Sequence, residues 1–181
     1  MKIKGIIDED FVNFKLPVMY IAFPHCTFKC DTENGSQYCI NCDLVKEPDI
    51  EITKEALIER YISNPISKGV VLAGLEPLDS FMELFAFIDC FRRQYKLEDP
   101  IIIYTGYTEE ECMNGQFSNS KMKIDKTYGD EWKMLTKYGV IVKFGRFRPN
   151  DDQHYDDVLG VNLASTNQYA KEFENEHTYQ S

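Results

Sequence analysis

Four of the six cysteines, Cys26, Cys30, Cys39 and Cys42, fall within one stretch, YIAFPHCTFKCDTENGSQYCINCDL, at residues 20–44. Their spacing is Cys-x3-Cys-x8-Cys-x2-Cys. Four thiolates so placed suit a tetrahedral structural zinc. Three of them suit an iron–sulfur cluster with one iron left without a protein ligand. The cysteines alone leave both readings open. Packing is a poor reason for four thiols this dense, and in a reducing compartment clustered cysteines are metal-binding or catalytic more often than disulfide-bonded. Cys90 and Cys112 stand apart on helical stretches and are expected to be core or surface residues. His25, His154 and His177 form no ligand set by spacing. There is no Ser-His-Asp arrangement and no phosphate-cradling glycine loop.

A reactive loop needs a rigid support. Just before the cysteines, Val18 to Phe23 is a continuous apolar run that reads as a buried strand, ended by Pro24 and His25. Further buried strands are expected at 69–73, 101–104 and 140–144, and a possible fifth at 158–163. Helical spacing appears between them. Ile52, Ala56, Leu57 and Tyr61 share a face of a helix over 52–63; Phe81, Leu84, Phe85, Ile88 and Phe91 share one over 79–95, with Asp79 or Ser80 as its cap. Thr108 and Glu111 have capping-box spacing, and Gly139 suits the end of a short helix over 131–138. Residues 1–17 read as a lead-in, 114–129 as an irregular insertion and 171–181 as a frayed acidic tail. The whole, 1–181, reads as one domain, with its cysteine loop at 24–45. Apolar strands alternating with helices predict α/β architecture with a mostly parallel sheet covered on both faces. The motif-bearing loops all follow strand C-termini, where such folds build their sites.

Several of these loops carry short motifs in a fixed order. Cys26-Thr27-Phe28-Lys29-Cys30 and Tyr38-Cys39-Ile40-Asn41 follow the first strand, and Gly74-Leu75-Glu76-Pro77 the second. Tyr104-Thr105-Gly106-Tyr107 closes the third. Gly145-Arg146-Phe147 and Ser165-Thr166-Asn167-Gln168 come last. Together they resemble the radical S-adenosylmethionine superfamily, and within it the activating proteins of anaerobic (class III) ribonucleoside-triphosphate reductases. The resemblance spans roughly residues 18–168. It implies a partial (βα) barrel of mostly parallel strands, and a [4Fe–4S] cluster on Cys26, Cys30 and Cys39, with Cys42 as an alternative ligand. It also implies S-adenosylmethionine bound beside Tyr38, Cys39, Ile40, Gly74, Leu75, Glu76, Tyr104 and Thr105. The implied activity is reductive cleavage to a 5′-deoxyadenosyl radical and generation of a glycyl radical on a large reductase partner. A flavodoxin or ferredoxin is the implied electron donor. No catalytic residue beyond the cluster and S-adenosylmethionine is implied. Three departures stand out. Eight residues separate Cys30 from Cys39 where the family has two, Leu75 replaces a glycine, and Cys42 has no counterpart.

The bulk composition agrees with a small cytoplasmic enzyme. The 181 residues are 43% hydrophobic, enough for a packed core. A net charge of −10 disfavours nucleic acid or an anionic membrane as partner. Acidic residues interrupt the N-terminal stretch, so it does not read as a signal peptide, and no apolar window is long enough to span a bilayer.

Overall fold

The computed structural model describes residues 1–34, 39–117 and 128–176. Ten strands and five α-helices are assigned within them. The strands are β1 (Lys2–Ile3), β2 (Gly5–Asp10), β3 (Val18–Phe23), β4 (Ile50–Glu51), β5 (Val70–Gly74), β6 (Ile101–Tyr104), β7 (Ile141–Phe144), β8 (His154–Asp156), β9 (Val161–Leu163) and β10 (Tyr169–Glu172). The helices are α1 (Lys29–Asn34), α2 (Lys54–Ser63), α3 (Phe81–Asp89), α4 (Glu109–Met113) and α5 (Gly129–Thr136). The central sheet has the order β10-β7-β6-β5-β3-β2. Its four inner strands run parallel, and β2 and β10 close the edges antiparallel. The architecture is therefore mixed α/β around a mostly parallel, open sheet.

Strand side chains alternate between the two sheet faces. One set, including Met19, Ile21, Leu72, Ile103 and Phe144, packs with Leu57, Leu84, Phe87 and Trp132 from α2, α3 and α5. The other set, Val18, Val71, Ala73, Ile102 and Ile141, meets no helix core. It packs with Phe14, Leu159 and Leu163 from loops and the β8–β9 hairpin. Both faces are covered, as expected, but these helices lie on one face and the loops and hairpin on the other. The other face is covered only at the N-terminal part of the strands, leaving room above Tyr20, Ala73, Tyr104 and Lys143 for a cavity.

Three expectations are corrected. The lead-in 1–17 contains β1 and β2, and Ile3 is fully buried. The acidic run Asp8-Glu9-Asp10 masks an edge strand that pairs with β3 along one side. The possible fifth strand becomes the short hairpin partner β9, outside the main sheet, and β10 takes the sheet edge instead. The acidic tail is ordered at least to residue 176: β10 pairs with β7, and Phe173 N–H donates to Val140 O at 2.9 Å. Residues 177–181, with His177, lie outside the described residues, as do 118–127 of the expected insertion. The insertion's near end is built into the core, where Phe117 stacks on Phe81 at 5.1 Å.

The helix signals fare better. Thr53 caps α2, accepting from Ala56 N–H at 3.1 Å. Thr108 and Glu111 form the capping box of α4. Ser80 precedes α3 without capping it, and Glu76 instead caps a 3₁₀ turn, Pro77–Ser80, that leads into the helix. Gly139 has φ +66° and follows α5. Among the described residues no helix is long and apolar enough to cross a membrane.

Candidate metal centre

The C-terminal ends of β3 and β5 are stitched together past the sheet. Phe23 pairs with Gly74, Leu75 N–H donates to Phe23 O at 3.2 Å, and Glu76 N–H donates to His25 O at 2.7 Å. Gly74 makes this possible: its φ is +89°, and a Cβ there would lie 2.7 Å from Ala22 Cα. Leu75 itself fits, so the missing second glycine does not stop the close approach. The cysteine loop starts from this clamp. Asp79 is buried, and its carboxylate accepts from Thr27 N–H at 2.7 Å and from Tyr107 O–H at 2.7 Å. Phe28 adopts φ +54°, a left-handed conformation a non-glycine residue takes only when its surroundings hold it there.

The eight-residue spacer is accommodated partly by α1. Asp31 to Asn34 are helical, so α1 takes up the first four residues of the spacer. The Asn34 amide donates to Cys30 O at 2.7 Å and to Phe147 O at 3.2 Å. Asp31 accepts from Cys39 N–H at 2.8 Å, which ties the two ends of the spacer together. Tyr38 lies outside the described residues.

These restraints bring Cys26, Cys30 and Cys39 to one cavity of about 320 Å³, along with Ile40, Gly74, Leu75, Glu76, Tyr104 and Thr105. Apart from the alternative ligand Cys42, every described residue expected at the site thus lines it. Cys42 does not: it is exposed and opens a 3₁₀ turn, Cys42–Lys46. Cys90 and Cys112 are buried elsewhere.

Burial raises all three cavity thiols, Cys26 to about 12, and each is offset by a backbone N–H donated to sulfur. The donors are Phe28 to Cys26, Phe147 to Cys30 and Asn41 to Cys39. Such N–H groups favour the thiolate, and hydrogen bonds to sulfur tune bound clusters. A cation is still needed to ionise the buried thiols, and coordinated iron would supply it. Among the described residues no three Cys, His, Asp or Glu side chains converge on a single ion. Three N–H-bonded thiols lining one cavity fit a cluster, in which each thiolate would meet a different iron.

The cavity's floor is charged. Glu76 is buried and accepts from Thr105 O–H and Gly106 N–H at 2.8 Å and from Leu78 N–H at 3.0 Å. Burial, then the Asp79 carboxylate, raises it to about 7. Lys143 lines the same cavity, 7% exposed and lowered by burial to about 8. Sequence reasoning missed Lys143, although a lysine inside Val140-Ile141-Val142-Lys143-Phe144 was itself a signal. Reasoning also missed Val12 and Asn13, which reach the cavity from the loop after β2, and Val161 to Ala164 of the β9 segment. Asn13 is held there by Asp10 at 2.9 Å and by Tyr104 O–H at 2.7 Å.

The later motifs frame the cavity. Asn41 donates to Gly74 O at 2.6 Å. Gln168 donates to Gly145 O at 3.2 Å, and Asn167 to Arg146 O at 2.9 Å, so both side chains hold backbone. Arg146 is buried between Glu111 at 2.7 Å and Glu33 at 3.3 Å.

Comparison with curated proteins finds no match. A family model described as a 4Fe–4S single cluster domain matches residues 18–168, from the strand before the cysteines to Gln168. That match replaces the zinc reading, and the chain belongs to the 4Fe–4S single cluster domain family.

Proposed function

We propose that this 4Fe–4S protein is a radical S-adenosylmethionine enzyme that makes a glycyl radical on a large anaerobic ribonucleotide reductase. The observation that carries the reading is the convergence of three motif cysteines and the Gly74-Leu75-Glu76 strand end on one cavity. Cys26, Cys30 and Cys39 would hold the cluster. Bound there, the reduced cluster would supply one electron to the sulfonium of S-adenosylmethionine, breaking its S–C5′ bond to leave methionine and a 5′-deoxyadenosyl radical that would take a hydrogen atom from a backbone glycine of the partner.

The chain's own residues have plainer tasks. The strand end at Gly74 brings backbone to the cavity wall, where a carbonyl group would suit a ligand ammonium. Tyr104 and Ala73 offer an apolar wall, and Ile40, 65% exposed, stands at the rim. The sheet does not close into a barrel, which would leave access for a macromolecular substrate. A flavodoxin or ferredoxin is the proposed reductant.

The test is EPR on protein reconstituted without oxygen and reduced, with and without S-adenosylmethionine, followed by addition of a class III reductase. A cofactor-sensitive cluster signal, release of 5′-deoxyadenosine and a glycyl doublet on the reductase support the whole reading. Release of 5′-deoxyadenosine without the doublet would mean a radical enzyme with another substrate. A cluster blind to S-adenosylmethionine would overturn the reading.

A further inference from the structure

Cys42 is the thiol that the cavity leaves over. It lies outside, exposed, and the resemblance gives it no counterpart. Its position is nevertheless fixed relative to Cys39. Residues 39–42 form a turn in which Cys42 N–H donates to Cys39 O at 3.3 Å. A turn closed in this way keeps its end Cα atoms within about 7 Å. A disulfide spans Cα atoms about 4.4–6.8 Å apart.

The turn is held from both sides. Asp31 accepts from Cys39 N–H at 2.8 Å, and the Asn41 side chain donates to Gly74 O at 2.6 Å. Past it, Cys42 opens the 3₁₀ turn Cys42–Lys46. The two sulfurs also sense each other: burial first, then the Asp31 and Cys42 charges, push the Cys39 thiol up. Cys39 is half-buried in the cavity and Cys42 faces solvent, so an oxidant in solution meets Cys42 first. An exposed thiol beside a functional one is the arrangement of a resolving cysteine, which diverts oxidation into a reversible disulfide.

We propose that Cys39 and Cys42 close a reversible disulfide when the cluster is absent, making Cys42 a redox-modification site that takes Cys39 out of the ligand set. The oxidant is a small-molecule disulfide. The Cys42 thiolate attacks one of its sulfurs, the small S–S bond breaks, and one small thiol leaves. The Cys39 thiolate then attacks the Cys42 sulfur, the mixed disulfide breaks, and the second small thiol leaves. The protein gives up two electrons and two protons, and the small disulfide takes them. In the loaded protein Cys39 is on iron, so the second step is closed. The disulfide is independent of the radical-enzyme reading; its competition with the cluster rests on Cys39 as a ligand.

The experiment treats cluster-free and cluster-loaded protein with glutathione disulfide, without oxygen. Free thiols are then alkylated, and the chain is cleaved at glutamate and mapped by mass spectrometry. Cleavage after Glu33 and Glu47 gives a peptide, 34–47, whose two cysteines are Cys39 and Cys42. Cluster-free protein is expected to yield this peptide unalkylated and lighter by two hydrogen atoms than its reduced form, and dithiothreitol to return it to the dithiol. Cluster-loaded protein is expected to yield it with one glutathione at most and no internal link. If the cluster-free peptide carries only glutathione or alkyl groups, or is joined to the Cys30 peptide, the proposal is overturned while the ligand assignment stands. An internal link in protein that keeps its full iron content would overturn the competition, and with it Cys39 as a ligand.

Discussion

At the scale of single residues, the cavity separates cysteines that the sequence left equivalent. Cys26, Cys30 and Cys39 are inside it, each with a backbone N–H on its sulfur, and Cys42 is outside and exposed. Replacing any of the first three by alanine is expected to abolish cluster retention, and Cys42→Ser to keep it. Iron and sulfide content after anaerobic reconstitution decides this, and loss in Cys42→Ser would refute the assignment. Glu76 yields a second prediction. Burial holds its folded-state value near 7 against 4.5 in an unfolded chain. Between those values the unfolded chain binds fewer protons than the folded one, so stability of the cluster-free protein falls as pH rises through that window. The shift amounts to about 3 kcal/mol at most. Glu76→Gln should flatten that pH dependence. It should also cost about 1–3 kcal/mol, because an amide NH₂ would face Gly106 N–H, Thr105 O–H or Leu78 N–H. Urea melts at pH 5 and pH 8 measure both effects.

At the scale of elements, much was legible because local rules decide it. The apolar runs at 18–23, 70–74 and 101–104 fold as parallel strands, and Thr53 and Thr108 cap helices as their spacing requires. What stayed hidden depends on contacts distant in sequence. Asp79 looked like a helix cap, but its carboxylate reaches back 52 residues to Thr27 N–H. Arg92 gave no signal at all. It is buried where the end of α3 widens into a π-turn, Cys90–Gln94, and donates to the carbonyls of Tyr138, Leu97, Asp99 and Gly139. The β3–β5 clamp lends itself to a direct test. Gly74→Ala would force a side chain into φ +89° and against Ala22 Cα and Phe23 N, each 2.7 Å from the new Cβ. Neither obstacle is a flexible side chain, so the strand ends must part. The expected outcome is destabilisation by about 2–4 kcal/mol, combining backbone strain and overpacking, together with loss of the cluster. Retention of both stability and iron would show that the clamp is dispensable.

At the scale of the whole molecule, the motifs reveal the parallel centre of the sheet but not its edges. Parallel strands buried on two faces read as unbroken apolar runs, which is why β3, β5, β6 and β7 are visible in the sequence. Edge strands carry charge, and β2 and β10, with sequences GIIDED and YAKE, resemble surface segments. Their role is nevertheless large. β2 satisfies the free edge of β3, the strand that carries the cysteine loop, while β1 buries Ile3 and pairs with β4. The loop after β2 then sends Val12 and Asn13 to the cavity. Removing residues 1–10 should therefore act on the site as well as on the fold. It would uncover the backbone of β3 along Val18 to Ala22, an apolar edge of the kind that pairs with other chains. It would also take away the Asp10 carboxylate that fixes Val12 N–H at 2.8 Å and Asn13 N–H at 2.9 Å. The truncated chain is expected to aggregate, and its soluble fraction to lose iron during size-exclusion chromatography. A monomeric truncated protein that keeps its full iron content would mean that the first ten residues are the simple lead-in their charge pattern suggests.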